Sequence, residues 1–236
     1  MSGARRETIA RNLERCRREI AAAAARADRD PASVGLLAVT KYVSADVVRD
    51  LYELGLRDFG ESRVQRGAAL REELPDLAEA RWHLVGHLQR NKVRQALRTF
   101  HVVHSLDSYR LAEALIAHAR EAPLLDVYLE VNVGDESEKT GMPREELPRV
   151  LELLRDRGGA LRICGLMAMG SRDATAERTR PEFRALHALR DRFAQEGLLP
   201  GSAGLSMGMS DDFPIAVEEG ATIVRVGSLL FEGIDA

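Results

Sequence analysis

Short apolar runs alternate with amphipathic stretches along nearly the whole of this 236-residue chain. The apolar runs are residues 34–40, 58–60, 82–85, 102–105, 126–132, 162–167, 204–206 and 223–226. Each is too short for a buried helix and most are rich in Val, Leu and Ile, so each is predicted to be a strand. The stretches that follow have helical spacing: residues 45–54, 63–74, 92–99, 108–119, 144–156, 178–196, 211–219 and a last turn at 228–231. The first of these opens on a serine cap, Ser44. Consecutive parallel strands need a crossover of about a dozen residues, usually a helix, so strict alternation predicts a parallel sheet. Eight such units without a long linker predict an α/β fold, a closed (β/α)8 barrel of TIM type. An open, doubly wound sheet is the alternative. Ahead of the first strand, residues 5–27 carry Ile9, Leu13, Cys16 and Ile20 on one stripe, and Asp30-Pro31 ends that helix. The expected organisation is one domain, residues 1–236, with the segment 1–30 as a helix packed on the barrel.

Composition narrows the function classes. Hydrophobic residues make up 45% and charged residues 30%, as in an ordinary globular protein. A net charge of −3 gives no support to a nucleic-acid or membrane-surface role. The N-terminus has no apolar stretch of signal-peptide type, and no run approaches the ~18 apolar residues of a membrane span. Two cysteines, Cys16 and Cys164, have no metal-like spacing and imply no disulfide framework, which fits a reducing cytoplasm. His101, His104, His118 and His187 show no ligand-like spacing with carboxylates, so no metal is expected.

Lysine is scarce. Of 34 basic residues only Lys41, Lys92 and Lys139 are lysine. Lys41 directly follows the first apolar run, and in a barrel the chemistry sits at the C-terminal ends of the strands. Lysine, unlike arginine, can lose its proton and attack a carbonyl, so Lys41 suggests a Schiff base. Lys92 opens a helix and Lys139 lies in the charged loop 135–143, where solvation suffices as an explanation. At the other end of the chain, Val224-Arg-Val-Gly-Ser228 runs from a strand into a turn. Gly227 lets backbone approach a ligand, and Ser228 offers a hydroxyl and an N–H, features suited to phosphate. Leu205-Ser-Met-Gly-Met-Ser-Asp-Asp212 repeats the pattern one unit earlier, with Ser206 and Ser210 as donors; Ser210 also reads as an N-cap for a helix beginning at Asp211. Closure of the barrel brings strand eight beside strand one, so an aldehyde-binding lysine faces a phosphate cup. Pyridoxal 5′-phosphate (PLP) carries both groups on one ring.

The chain resembles the YggS/PROSC family of PLP-binding homeostasis proteins, relatives of the alanine racemase barrel. The stretches that carry the resemblance are Leu37-Ala-Val-Thr-Lys41, Phe59-Gly-Glu-Ser62 with Val64-Gln65, Trp82-His-Leu-Val-Gly-His-Leu-Gln-Arg-Asn-Lys92, Val131-Asn132 with Lys139-Thr-Gly141, Gly165-Leu-Met167, the 205–212 segment and Val224-Arg-Val-Gly227. They run in order over almost the whole sequence. The resemblance implies that Lys41 bears PLP covalently as an internal aldimine. It implies that residues 206–210 with Gly227 and Ser228 hold phosphate, and that Arg225 approaches the pyridine nitrogen. Two positions depart from the family pattern. Ser62 stands where asparagine is usual, and His87 where proline is frequent.

The remaining candidates divide between site and scaffold. Arg225, between Val224 and Val226 on an apolar strand, is expected to face the ligand. His83 reads equally as a ring neighbour or as a satisfied core histidine. Met167, Met169, Met207 and Met209 read as core filler and ring packing. Tyr42, Tyr52, Tyr109 and Tyr128 do not replace the tyrosine that related racemases bring from a second domain. The expected function is therefore PLP carriage and homeostasis without efficient catalysis, in a monomer, with apo PLP enzymes as candidate recipients. The alternatives are a small PLP-dependent racemase, using His83 or Tyr42 as its base, and a Schiff-base aldolase acting on a sugar phosphate.

Overall fold

A computed structural model describes residues 2–119, 123–134, 140–170 and 175–234. Lys139 and much of the polar segments 135–143 and 171–179 lie outside the described residues. Eight parallel strands close in sequence order: β1 (Gly35–Val39), β2 (Asp58–Glu61), β3 (Arg81–Leu84), β4 (Val102–Leu106), β5 (Leu125–Glu130), β6 (Leu161–Met167), β7 (Gly204–Ser206) and β8 (Ile223–Val226). Closure pairs β1 with β8, with Leu37 opposite Arg225 and Ala38 opposite Val226. The open doubly wound alternative is thereby set aside.

Helix α1 (Ser2–Arg26) precedes the barrel. Helices α2 (Ala45–Glu53), α3 (Val64–Glu73), α4 (Val93–Thr99), α5 (Tyr109–Ala119), α6 (Leu147–Arg157), α7 (Ala176–Gln195) and α8 (Phe213–Glu218) follow the first seven strands. The predicted stripe on α1 is buried: Ile9, Leu13, Cys16 and Ile20 are each at most 5% exposed, and α1 packs on α8 and α2. Burying each of the three aliphatic side chains stabilises that docking by about 1.5–3 kcal/mol. Cys16 and Cys164 are free thiols. Among the described residues, no helix is long and apolar enough to cross a membrane.

Residues 228–231 form the expected last turn, with Leu230 and Phe231 donating to Gly227 O. Two local expectations are corrected. Ser44 occupies the cap position of α2, but its side chain makes no capping bond; its carbonyl accepts from Val47 and Val48 instead. Helix α8 starts at Phe213, later than predicted, because Asp212 turns its carboxylate back to the Met209 N–H at 2.6 Å.

The barrel interior is not wholly apolar. Leu37 and Val102 are buried there, yet His83, His104, Ser206 and Arg225 are buried with them. Buried polar groups persist only when they are hydrogen-bonded, and these four bond to one another.

Candidate functional site

A cavity of about 550 Å³ opens at the C-terminal end of the barrel. Lys41, Ser62, Ser210, Arg225, Gly227 and Ser228 all line it. The predicted site residues from the first two and the last two βα units therefore do meet in one place, as closure of β1 on β8 requires. Lys41 sits just beyond β1 and is exposed. Its Nζ lies 4.8 Å from the centroid of the Tyr42 ring. Tyr42 is 75% exposed and also lines the cavity.

The cup opposite Lys41 is built from backbone. Ser210 Oγ accepts from the N–H groups of Gly227 (3.2 Å) and Leu229 (3.4 Å). The hydroxyl thus stitches the loop after β7 to the turn after β8, in place of the predicted cap on α8. The loop can run close to the core only because Gly208 has φ +92° and no side chain. A Cβ there would lie 2.6 Å from Ala216 Cβ and 2.9 Å from Phe213 Cα.

Arg225 is 4% exposed. Nη1 donates to Ser206 O and Oγ, each at 2.7 Å, and Nη2 donates to Ala168 O at 2.9 Å. Nε has no partner among the described residues. Burial pulls the guanidinium pKa down to about 10, against the attraction of Glu130 and Asp212. A guanidinium keeps its proton even so, and remains a donor.

Ser206 and His83, both predicted ligand contacts, do not line the cavity. They belong to a buried chain behind Arg225. Ser206 Oγ lies 2.8 Å from His104 Nδ1, His104 Nε2 lies 2.9 Å from His83 Nδ1, and His83 Nε2 lies 2.9 Å from Asp58 Oδ1. One proton order satisfies every member. Arg225 donates to Ser206 Oγ, so the serine proton goes to His104 Nδ1. His104 Nε2–H then donates to His83 Nδ1, and His83 Nε2–H to the Asp58 carboxylate. Burial pulls the pKa of His83 below its ordinary value and that of His104 well below, so both imidazoles are neutral. At the far end burial opposes ionisation of Asp58, but the His83 bond together with the attraction of His83 and Arg81 outweighs it and holds the carboxyl below the ordinary range. His104 also stacks on Tyr128, centroids 4.7 Å apart and planes 11° from parallel. His83 is thus the satisfied core histidine, not the ring neighbour.

Of the other cavity residues, the sequence singled out His87 as a departure from the family pattern and Met169 and Met209 as ring packing, but not Glu130. Glu130, at the end of β5, is 3% exposed and accepts from Thr140 Oγ1 at 2.6 Å. Burial raises its carboxyl pKa, with the Thr140 bond opposing. His87 lines the cavity and bonds through Nδ1 to Asp107 Oδ2 at 2.7 Å. Met169 and Met209 line it as well, whereas Met167 and Met207 are core. Parity along β5 points to Glu130, since it lies two residues after Tyr128 on the lumen-facing side. No spacing rule pairs His87 with Asp107, because they belong to different βα loops.

Beneath Lys41, Glu61 is wholly buried. Its Oε1 accepts from Thr40 Oγ1 at 2.6 Å, and its Oε2 has no hydrogen-bond partner. Burial raises its pKa, opposed by Thr40, Arg66 and Lys41.

Known proteins share this architecture. A family model described as alanine racemase, N-terminal domain matches residues 11–234. A pyridoxal phosphate homeostasis protein of Pseudomonas aeruginosa is 43% identical over 230 residues, covering 97% of this chain and 96% of its own. A protein of the same name from Aquifex aeolicus is 40% identical over 228 residues, covering 95% and 96%. Among solved structures, PipY of Synechococcus elongatus with PLP bound is 37% identical with a TM-score of 0.83, covering 94% of this chain and 99% of that one. Alanine racemase of Corynebacterium glutamicum is 16% identical with a TM-score of 0.73, covering 98% of this chain and 64% of that one. At that identity the likeness is one of fold.

Proposed function

This chain belongs to the alanine racemase N-terminal domain family and, within it, to the pyridoxal phosphate homeostasis proteins, and from that premise we propose that it holds PLP covalently through Lys41 Nζ and serves as a carrier of that cofactor. The donor set fits the group. Backbone N–H groups and serine hydroxyls at Ser210, Gly227 and Ser228 suit a phosphate, as loops after the last two barrel strands commonly do. The unpartnered Nε of Arg225 suits a ring nitrogen that accepts a hydrogen bond. Lys41, across the β1–β8 closure, suits an aldehyde. The observation that carries the reading is this convergence of one amine, one buried guanidinium and a donor-lined cup in a single cavity. Ser62, shorter than an amide, contacts the group from the β2 loop through water. His83 and Ser206 hold Arg225 in place and make no direct contact.

When bound, PLP supplies an aldehyde that combines with amines and a ring able to take up negative charge. The residues here limit the second property. An arginine cannot give up its proton to the ring nitrogen, so a ring facing Arg225 stays unprotonated and is a weak electron sink. That restraint supports a carrier role, and we take the carrier to be a cytoplasmic monomer that supplies apo PLP enzymes. A racemase reading needs a base on the cavity. His83 is removed from it by burial, while Tyr42 remains at its rim.

Incubation with PLP, borohydride reduction and peptide mapping test the assignment. The trapped adduct is expected on the peptide containing Lys41 and is lost in Lys41→Ala. An adduct of undiminished yield in that variant, on Lys92 or Lys139, rejects it. Stereospecific α-hydrogen exchange of L-amino acids in deuterated water at turnover rates rejects the carrier role in favour of the racemase.

A further inference from the structure

We propose that His87, oriented by Asp107, is the acid–base group that moves the bound aldehyde from Lys41 to an incoming primary amine. The proposal rests on the reading of Lys41 given above. His87 lines the cavity from the β3 loop, and its side chain is 60% exposed. Nδ1–H donates to Asp107 Oδ2 at 2.7 Å, which leaves Nε2 as the ring's acceptor. Asp107 is itself held: its side chain is 14% exposed, and Oδ1 accepts from Ser108 Oγ at 3.1 Å. The loop that carries His87 is fixed as well. Ser105 Oγ donates to Gly86 O at 2.7 Å, and Gly86 packs so closely on the β2 loop that a Cβ would lie 2.2 Å from Ser62 O. A base oriented by a carboxylate on a rigid loop is the arrangement that general acid–base catalysis uses.

The charges around it select the substrate class. Glu130 and Asp211 line the same cavity, while the Arg225 guanidinium is tied to Ser206 and Ala168. An entering ammonium group therefore meets carboxylates and the Nε2 edge of the His87 ring. An alkylamine with the pKa of a lysine side chain, about 10.4, is neutral in only about one molecule in 2,500 at pH 7. It must lose a proton before it can attack.

The exchange balances without any other reactant. Nε2 of His87 takes a proton from the incoming ammonium. The freed nitrogen bonds to the carbon held by Lys41 Nζ. His87 Nε2 passes the first proton to Nζ, takes a second from the incoming nitrogen and passes it on likewise; the carbon–Nζ bond breaks, and its electron pair stays on Nζ. Two protons leave the incoming nitrogen and two reach Nζ. One carbon–nitrogen double bond replaces another, with no redox change and no water consumed. The recipient is any primary amine that fits the cavity, including a lysine side chain of an acceptor protein.

The test uses the full chain loaded with PLP. Ethanolamine is added, and the share of protein still carrying the borohydride-trapped adduct is followed by intact mass. His87→Ala is expected to slow ethanolamine-driven loss about 10²-fold, and Asp107→Asn to slow it by a smaller factor. Added imidazole restores the rate in His87→Ala, an effect that a merely structural role does not produce. On the unloaded protein, ¹⁵N NMR is expected to show the Nδ1–H signal of His87 beside that of His187, whose Nδ1 donates to Glu219 O at 2.8 Å; the His87 signal vanishes in His87→Ala and becomes a tautomer mixture in Asp107→Asn, while the His187 signal stays. Loss rates within twofold of the unaltered protein overturn the proposal, as does slowing that imidazole does not rescue. An adduct that forms on Lys41 but exchanges normally without His87 removes this inference alone. Absence of any Lys41 adduct in the unaltered chain removes the underlying reading and the inference with it.

Discussion

Replacing His104 with phenylalanine separates the hydrogen bonds of the buried chain from the space it fills. Phenylalanine keeps the ring that stacks on Tyr128 at 4.7 Å, and it opens no cavity. It removes the bonds to His83 Nδ1 and Ser206 Oγ, at 2.9 and 2.8 Å. Both partners are buried and have no water to turn to. Each unsatisfied buried group costs about 1–3 kcal/mol, so His104→Phe is expected to destabilise by about 2–5 kcal/mol in urea unfolding at pH 7.5. Replacing His83 with leucine as well removes one of the two orphans. The double variant is then expected to recover about 1–2 kcal/mol relative to the sum of the single changes.

The same pair sets an acid sensitivity. A histidine whose folded pKa is depressed binds fewer protons folded than unfolded once pH falls below its unfolded pKa, about 6.5. Stability from this source is therefore complete above pH 6.5 and declines on acidification, by at most about 1.4 kcal/mol per pH unit for each histidine. Glu61 and Glu130, with raised pKa values, act with the opposite sign at pH values above their unfolded pKa of about 4.4. The net slope between pH 6.5 and 5.5 is thus expected to lie below the two-histidine limit, and to be smaller again in His104→Phe. A cost under about 1 kcal/mol for His104→Phe, or an unchanged slope, refutes the proton order assigned to the chain.

Three shorter predictions follow from the same geometry. Arg225→Leu leaves Ser206 O and Oγ and Ala168 O without their buried donor; a loss of about 3–5 kcal/mol in urea unfolding is expected, with weaker PLP retention in equilibrium dialysis. Gly86→Ala places a Cβ 2.2 Å from a backbone carbonyl; the strain is expected to cost about 1–3 kcal/mol or more, seen as a lower unfolding midpoint. Asp126 accepts from Arg162 at 2.6 and 2.8 Å and from Arg81 at 3.0 Å. Asp126→Ala, at the start of β5 and so at the end of the barrel away from the cavity, is expected to cost about 1–3 kcal/mol while leaving the yield of the trapped Lys41 adduct unchanged.

The sequence by itself determined the layout. Apolar runs of strand length alternating with amphipathic helices permit few solutions, and eight of them with short connections close into a barrel. Lys41, Ser62, Ser210, Arg225, Gly227 and Ser228 were legible for the same reason, since strand ends of a barrel converge and loop glycines and serines signal a backbone cup. The cap at Ser44 and the helix start near Asp212 were not, because each hinges on where one side chain or carbonyl spends its hydrogen bond. Only the tertiary structure decided the roles of His83 and Ser206 and exposed the pairing of His87 with Asp107. These depend on contacts between strands and loops 20 or more residues apart. The period of a strand reveals which face a residue occupies; it carries no information about which polar group waits opposite.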